Sequence, residues 1–76
     1  MALIIPARTD PRWQDPTWRT ELLRDLAQAH GLDHDRIAEL TGHAPRTAKF
    51  WLYNNRQSIP APVLRLLAID LNAQVL

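Results

Sequence analysis

Apolar positions recur along this chain at intervals of three and four, with polar and punctuating residues between the runs, a pattern that predicts helices rather than strands. The first helix is predicted from Asp15, as N-cap with Pro16 in the first helical position, to about His30, where Gly31 closes it. Trp18, Leu22, Leu26 and Ala29 fall on one side with Leu23 at the margin, while Glu21, Arg24, Asp25 and Gln28 lie opposite, as in a scaffold helix. Asp33 is the natural N-cap of a second, shorter helix that carries Ile37, Ala38, Leu40 and Thr41 and stops at Gly42. A third opens at Pro45. At about 100° per residue it has two unlike faces, Ala48, Trp51, Leu52 and Asn55 on one and Arg46, Lys49, Phe50 and Tyr53 on the other. One face can be buried while the other offers two cations and two aromatic rings.

Ile59-Pro60-Ala61-Pro62 leads into a last helix with apolar residues on more than one side. Val63, Leu64, Leu67 and Leu71 form the broad face expected to close a core. Leu66, Ile69 and Ala73 make a second stripe, separated from the first by Arg65 and Asp70. A helix with two apolar faces needs two burials. The stripe, with the Val75-Leu76 tail, is expected to be a homodimer surface, unless the Leu3-Ile4-Ile5 arm covers it within one subunit. Upstream of the first helix, Asp10-Pro11-Arg12-Trp13 is echoed by Asp15-Pro16-Thr17-Trp18, too short a duplication to define a repeat. Trp18 is expected in the core; Trp13 is left open between core and an exposed ring on which a base can stack.

The stretch from His34 to Tyr53 resembles the helix-turn-helix of the lambda-repressor-like (Cro/XRE type) DNA-binding family. There, a small residue in the first helix lets the second pack closely, a glycine makes the turn four residues later, and a bulky apolar residue anchors the second helix. Ala38, Gly42 and Trp51 hold those places here, and with its flanking helices the resemblance spans roughly residues 17–70. Three positions depart from it. His43 stands where an aliphatic residue is usual, Ala44 where a Ser or Thr caps the second helix, a cap worth about 1 kcal/mol, and Ala48 where a larger branched residue is common. The resulting expectation is an all-α, compact four- to five-helix bundle with a helix-turn-helix. Residues 1–14 would be an N-terminal arm, and residues 15–76 a DNA-binding domain ending in a dimerisation helix.

Composition narrows the alternatives. Seventy-six residues make one domain, near the size at which a single core is only marginally sufficient, so help from a second subunit is reasonable. With no cysteine, disulfides and thiolate metal sites drop out, which fits a reducing bacterial cytoplasm. The run Ala2–Ile5 is too short for a signal peptide, and no stretch approaches a membrane span. His30, His34 and His43 invite a metal, but Gly31 breaks the helix between the first two and no closed ligand set forms, so no metal or other cofactor is expected. No catalytic triad context and no glycine-rich phosphate loop is present in a chain with two glycines, which argues against an enzyme and leaves no small-molecule substrate evident. Net charge is only +1, yet it is unevenly spread. Residues 1–39 carry five arginines against seven acids, or −2, whereas residues 40–69 carry Arg46, Lys49, Arg56 and Arg65 with no acid, or +4.

The resemblance implies a sequence-specific repressor acting on double-stranded DNA, probed by the helix that begins at Pro45. Arg46 and Lys49 are expected to reach guanine edges, and Thr47 or Phe50 a thymine methyl. His34, Tyr53, Asn54 and Arg56 are expected on phosphates, where Asp35 and Glu39 would have to point away or else tune binding down by repulsion. A homodimer through Leu66, Ile69 and Ala73 would read an inverted repeat. A narrower likeness to small phage or mobile-element autorepressors, including the anti-CRISPR-associated ones, suggests autoregulation of a short operon. Two other readings stay open at this point. One is the DNA-binding antitoxin of a toxin pair, and the other a protein-interaction module anchored by Phe50 and Tyr53.

Overall fold

The computed structural model describes residues 4–53 and 57–75. It is a small all-α globule with almost no strand. Helix α1 spans Pro16–His30, α2 His34–Thr41, α3 Pro45–Tyr53 and α4 Ala61–Asp70, with a 3₁₀ turn at Pro11–Gln14 before them. Two two-residue strands, β1 (Ile4–Ile5) and β2 (Gln74–Val75), pair in parallel with Ile4 opposite Gln74 and Ile5 opposite Val75. The strands were not expected from the sequence, since two residues carry no period.

Local chemistry sets the helix boundaries. The Asp15 carboxylate accepts the backbone N–H groups of Thr17 and Trp18, and Asp33 accepts that of Arg36, so both starts are capped. The duplicated Asp-Pro-x-Trp turns out to be one device used twice. Asp10 caps the 3₁₀ turn as Asp15 caps α1, each is followed by a proline in the first position, and the two tryptophans that result meet edge to face at 4.9 Å. Hydrogen bonds from the Arg12 guanidinium and backbone N–H hold the Asp10 carboxyl below the ordinary carboxylate range. This cap is therefore in force at neutral pH and is lost as the pH falls through that lowered value.

Three helix ends share a second device. Gly31, Gly42 and Asn72 adopt positive φ (64°, 73° and 66°), and the next residue in each case, Leu32, His43 or Ala73, returns its N–H to a carbonyl five residues back. Glycine takes this conformation without a Cβ penalty, and asparagine tolerates it better than most residues. Asn72 ends α4 one turn earlier than the apolar stripe implied. Ala73, expected on that stripe, instead lies half-buried against the protein's own core.

The core comprises Leu22, Leu23, Leu26 and Ala27 of α1, Ile37 and Ala38 of α2, Ala48, Trp51 and Leu52 of α3, and Leu64, Leu67 and Ala68 of α4, joined by Ile5, Trp13 and Ile59. The inward side of α1 is rotated slightly from the expected one: Leu23 is fully buried, Ala27 is buried and Ala29 is exposed. Trp13 belongs to the core, its indole N–H shared between the carbonyls of Pro6 and Ala7, while Trp18 packs half-buried at the edge. Ile5 and Trp13 thus make residues upstream of α1 part of the same core.

Two arginines of α1 act as struts. Arg19 donates to the Trp13 carbonyl (2.7 Å), the Ile59 carbonyl (2.9 Å) and the Ser58 hydroxyl (3.1 Å), joining the 3₁₀ turn to the segment before α4. Arg24, placed by its helical position among the solvent-facing residues, reaches the Leu52 carbonyl at 2.8 Å. Charged donors to part-buried carbonyls are worth about 1.5–3 kcal/mol each before non-additivity. Arg19→Leu is expected to lower the stability read from urea unfolding by about 2–3 kcal/mol. Arg19→Lys should recover only part of that, because an ammonium cannot reproduce the fork that meets three acceptors.

Candidate nucleic-acid interface

Helices α2 and α3 are joined by the three residues Gly42-His43-Ala44 and pack closely against each other. Ala38, only 3% exposed, lies on the buried side of α2, and its carbonyl accepts the N–H groups of both Gly42 and His43. Thr41 turns its hydroxyl back to the Ile37 carbonyl at 2.8 Å, so the end of α2 leaves little polar demand unmet. His43, standing where an aliphatic residue was expected, covers the Trp51 indole with its ring at 4.9 Å. Its Nδ1 lies 3.0 Å from the Thr41 carbonyl, which can only accept, so Nδ1 carries the proton. The ring therefore does the covering work of an apolar side chain while its polar edge is satisfied.

Helix α3 begins without a side-chain cap. The Ala44 carbonyl accepts the N–H groups of Thr47 and Ala48, and alanine has no oxygen to offer the first donors. Rotation of the helix is set by Ala48, Trp51 and Leu52, all buried. The opposite face is open as the sequence predicts. Arg46 and Lys49 are exposed, Thr47 and Phe50 are half-buried, and Tyr53 is 66% exposed. Arg46, Lys49, Phe50 and Tyr53 line a shallow concavity of about 330 Å³. The Arg46 guanidinium stacks over Phe50 at 5.6 Å, one turn along, which holds a long cationic side chain against the helix rather than loose in solvent.

Of the four residues expected on phosphates, two come together. His34 opens α2 and Tyr53 closes α3, and their rings meet edge to face at 6.4 Å. Asn54 and Arg56 lie outside the described residues, as does Asn55 of the inward face. The acids that sat awkwardly on α2 have their own partners: Glu39 takes Arg36 at 2.9 Å and Asp35 lies 3.6 Å from His34 Nε2. An exposed pair such as Arg36–Glu39 is worth little to stability, but it offsets the Glu39 charge beside α3. On α4, Leu66 and Ile69 remain 62% and 39% exposed. Ile4 and Ile5 pair with β2 and do not cover them, while Leu3 and Leu76 of the expected arm and tail lie outside the described residues.

Sequence reasoning missed Arg24, which matters to this face because its bond to the Leu52 carbonyl braces the end of α3. No local pattern signals a contact across 28 residues. Among the described residues no group of three or more His, Cys, Asp or Glu could hold a metal ion, and no helix is long and apolar enough to cross a membrane. Comparisons with protein-family models, with curated proteins and with solved structures find no match for this chain.

The two faces of α3 are separable by substitution. Trp51→Ala should cost about 3–5 kcal/mol, enough to unfold a domain of this size at ambient temperature. Arg46→Ala and Lys49→Ala should leave the circular-dichroism melting curve nearly unchanged, within about 0.5 kcal/mol.

Proposed function

We propose that this chain is a sequence-specific DNA-binding protein that acts as a transcriptional repressor, with α3 entering the major groove. The observation that carries the reading is the open face of α3, where two cations and two aromatic side chains surround one concavity while the buried face fixes their direction. An α-helix fits the major groove, and Arg or Lys there can donate to guanine O6 and N7, each well-made pair discriminating by about 1–3 kcal/mol. Thr47 and Phe50 are suited to a thymine methyl. His34 and Tyr53, brought together at the edge of the same face, are suited to phosphate oxygens, and Asn54 and Arg56 extend that set in sequence.

The same reading includes a homodimer on an inverted repeat, which the size of the protomer permits. Its extents of 31 × 25 × 19 Å are compatible with two protomers side by side holding their α3 helices about 34 Å apart, one turn of DNA. The mechanism would be steric: a protein of this size bound at an operator excludes polymerase. Autoregulation of a short phage or mobile-element operon in a bacterial cytoplasm is the setting we favour, with no cofactor and no catalysis. The exposure of Tyr53 also favours a second reading, a protein-interaction surface in which the aromatic rings are anchors and the cations a polar rim.

Fluorescence anisotropy with a random-sequence duplex at two salt concentrations separates the two. Counterion release makes a DNA complex weaken steeply with salt, by about 10³-fold or more between 50 and 200 mM for six or more phosphate contacts across a dimer. A flat response, or none, favours the protein surface. On a site selected from a random duplex pool, Arg46→Ala or Lys49→Ala should weaken binding about 5- to 150-fold and reduce sequence preference.

A further inference from the structure

The solvent side of α4 carries a pattern that the proposed function does not use. Pro62, Leu66 and Ile69 lie along its exposed side at spacings of four and three, and the two large apolar side chains among them stay 62% and 39% exposed. Arg65 immediately precedes Leu66 and Asp70 immediately follows Ile69, so the apolar line is flanked by a cation on one side and an acid on the other. Neither charge is used at home. Among the described residues neither side chain has an ion pair, and the Arg65 Nε is buried without a hydrogen-bond partner. Asp70 sits at the negative end of the helix dipole, where a carboxylate is unfavourable without an external cation. Leu66 stands as a ridge between two hollows, one of about 270 Å³ on the Arg65 side and one of about 150 Å³ on the Asp70 side, so a facing helix has room to seat side chains beside it.

We infer that α4 packs against α4 of a second copy of this chain in the parallel sense, with Leu66 and Ile69 in the seam and Arg65 of each copy paired to Asp70 of the other. The orientation follows from symmetry and charge. A two-fold axis running along the helices brings opposite flanks together, so Arg65 meets a carboxylate five residues further along the facing helix, twice. An axis running across them would bring like flanks together, Arg65 against Arg65 and Asp70 against Asp70. The pattern is self-complementary in the first arrangement and self-repelling in the second. A two-turn seam is small beside a standard interface, so the dimer is weak and reversible. This inference rests on the homodimer part of the proposed function and is independent of its DNA part.

Sedimentation of the intact chain across a concentration series tests it without DNA. The wild-type chain should associate to a dimer. Arg65→Asp alone and Asp70→Arg alone should each weaken association about tenfold or more, because each sets like charges face to face twice. The double reversal should return to within about threefold of the wild-type value, and so should an equimolar mixture of the two single variants, which also verifies that both are folded. Leu66→Gln should sediment as a monomer with an unchanged circular-dichroism spectrum. Single reversals without effect would overturn the parallel pairing while leaving the homodimer itself standing. A wild-type chain that stays monomeric would overturn both. Leucine at the first seam position with isoleucine at the second favours three or four strands in long coiled coils, so the number of chains is read as well, and more than two overturns the inference.

Discussion

Burial of the Trp51 indole fixes the rotation of α3 about its own axis, and the character of the exposed surface follows from that one constraint. The side chain is 2% exposed, with Ala48 and Leu52 buried beside it. At about 100° per residue, a helix that must keep those three inward has no freedom over where Arg46, Lys49 and Tyr53 point. The indole is in turn covered by His43 and reached through the tight turn at Gly42. A single large side chain thus converts a sequence pattern into a directed cationic face.

The scaffold around that helix is held by devices that combine local and distant parts of the chain. Capping carboxylates start helices, left-handed residues end them, and the core closes over Ile5, Trp13 and Ile59 from outside the helices. Arg19 and Arg24 add polar ties where segments approach each other without a helical ladder between them. In a domain of 76 residues, where the hydrophobic core is small, such ties matter more than they would in a larger protein.

Where sequence and structure agree, the reason is local. Asp15-Pro16, Gly31, Asp33, Gly42 and Pro45 each act within a few residues, and the helix boundaries they imply are the ones observed. The two faces of α3 were legible because three buried positions and four charged or aromatic ones fall on opposite sides. What was not legible depends on partners far along the chain. The strand pair forms because α4 and the turn at Asn72 bring Gln74–Val75 beside Ile4–Ile5, which two residues of alternation cannot announce. Arg24 looked like a surface charge on α1 and serves the far end of α3 instead. The inward side of α1 came out slightly rotated because alanine is apolar enough for either side, and neighbours decided between Ala27 and Ala29. Trp13 was undecided for the same reason: only the fold supplies the Pro6 and Ala7 carbonyls that receive its indole N–H.

In the function we propose, the Arg46, Lys49, Phe50 and Tyr53 side of α3 is the surface that meets DNA. Following the backbone amide resonances of the isotope-labelled protein during titration with a selected duplex tests it most directly. The largest changes are expected on residues 46–53 and on His34, with the Trp51 indole resonance and the α1 core left in place. Changes concentrated elsewhere on the surface, with Arg46 and Lys49 undisturbed at saturating duplex, would contradict it.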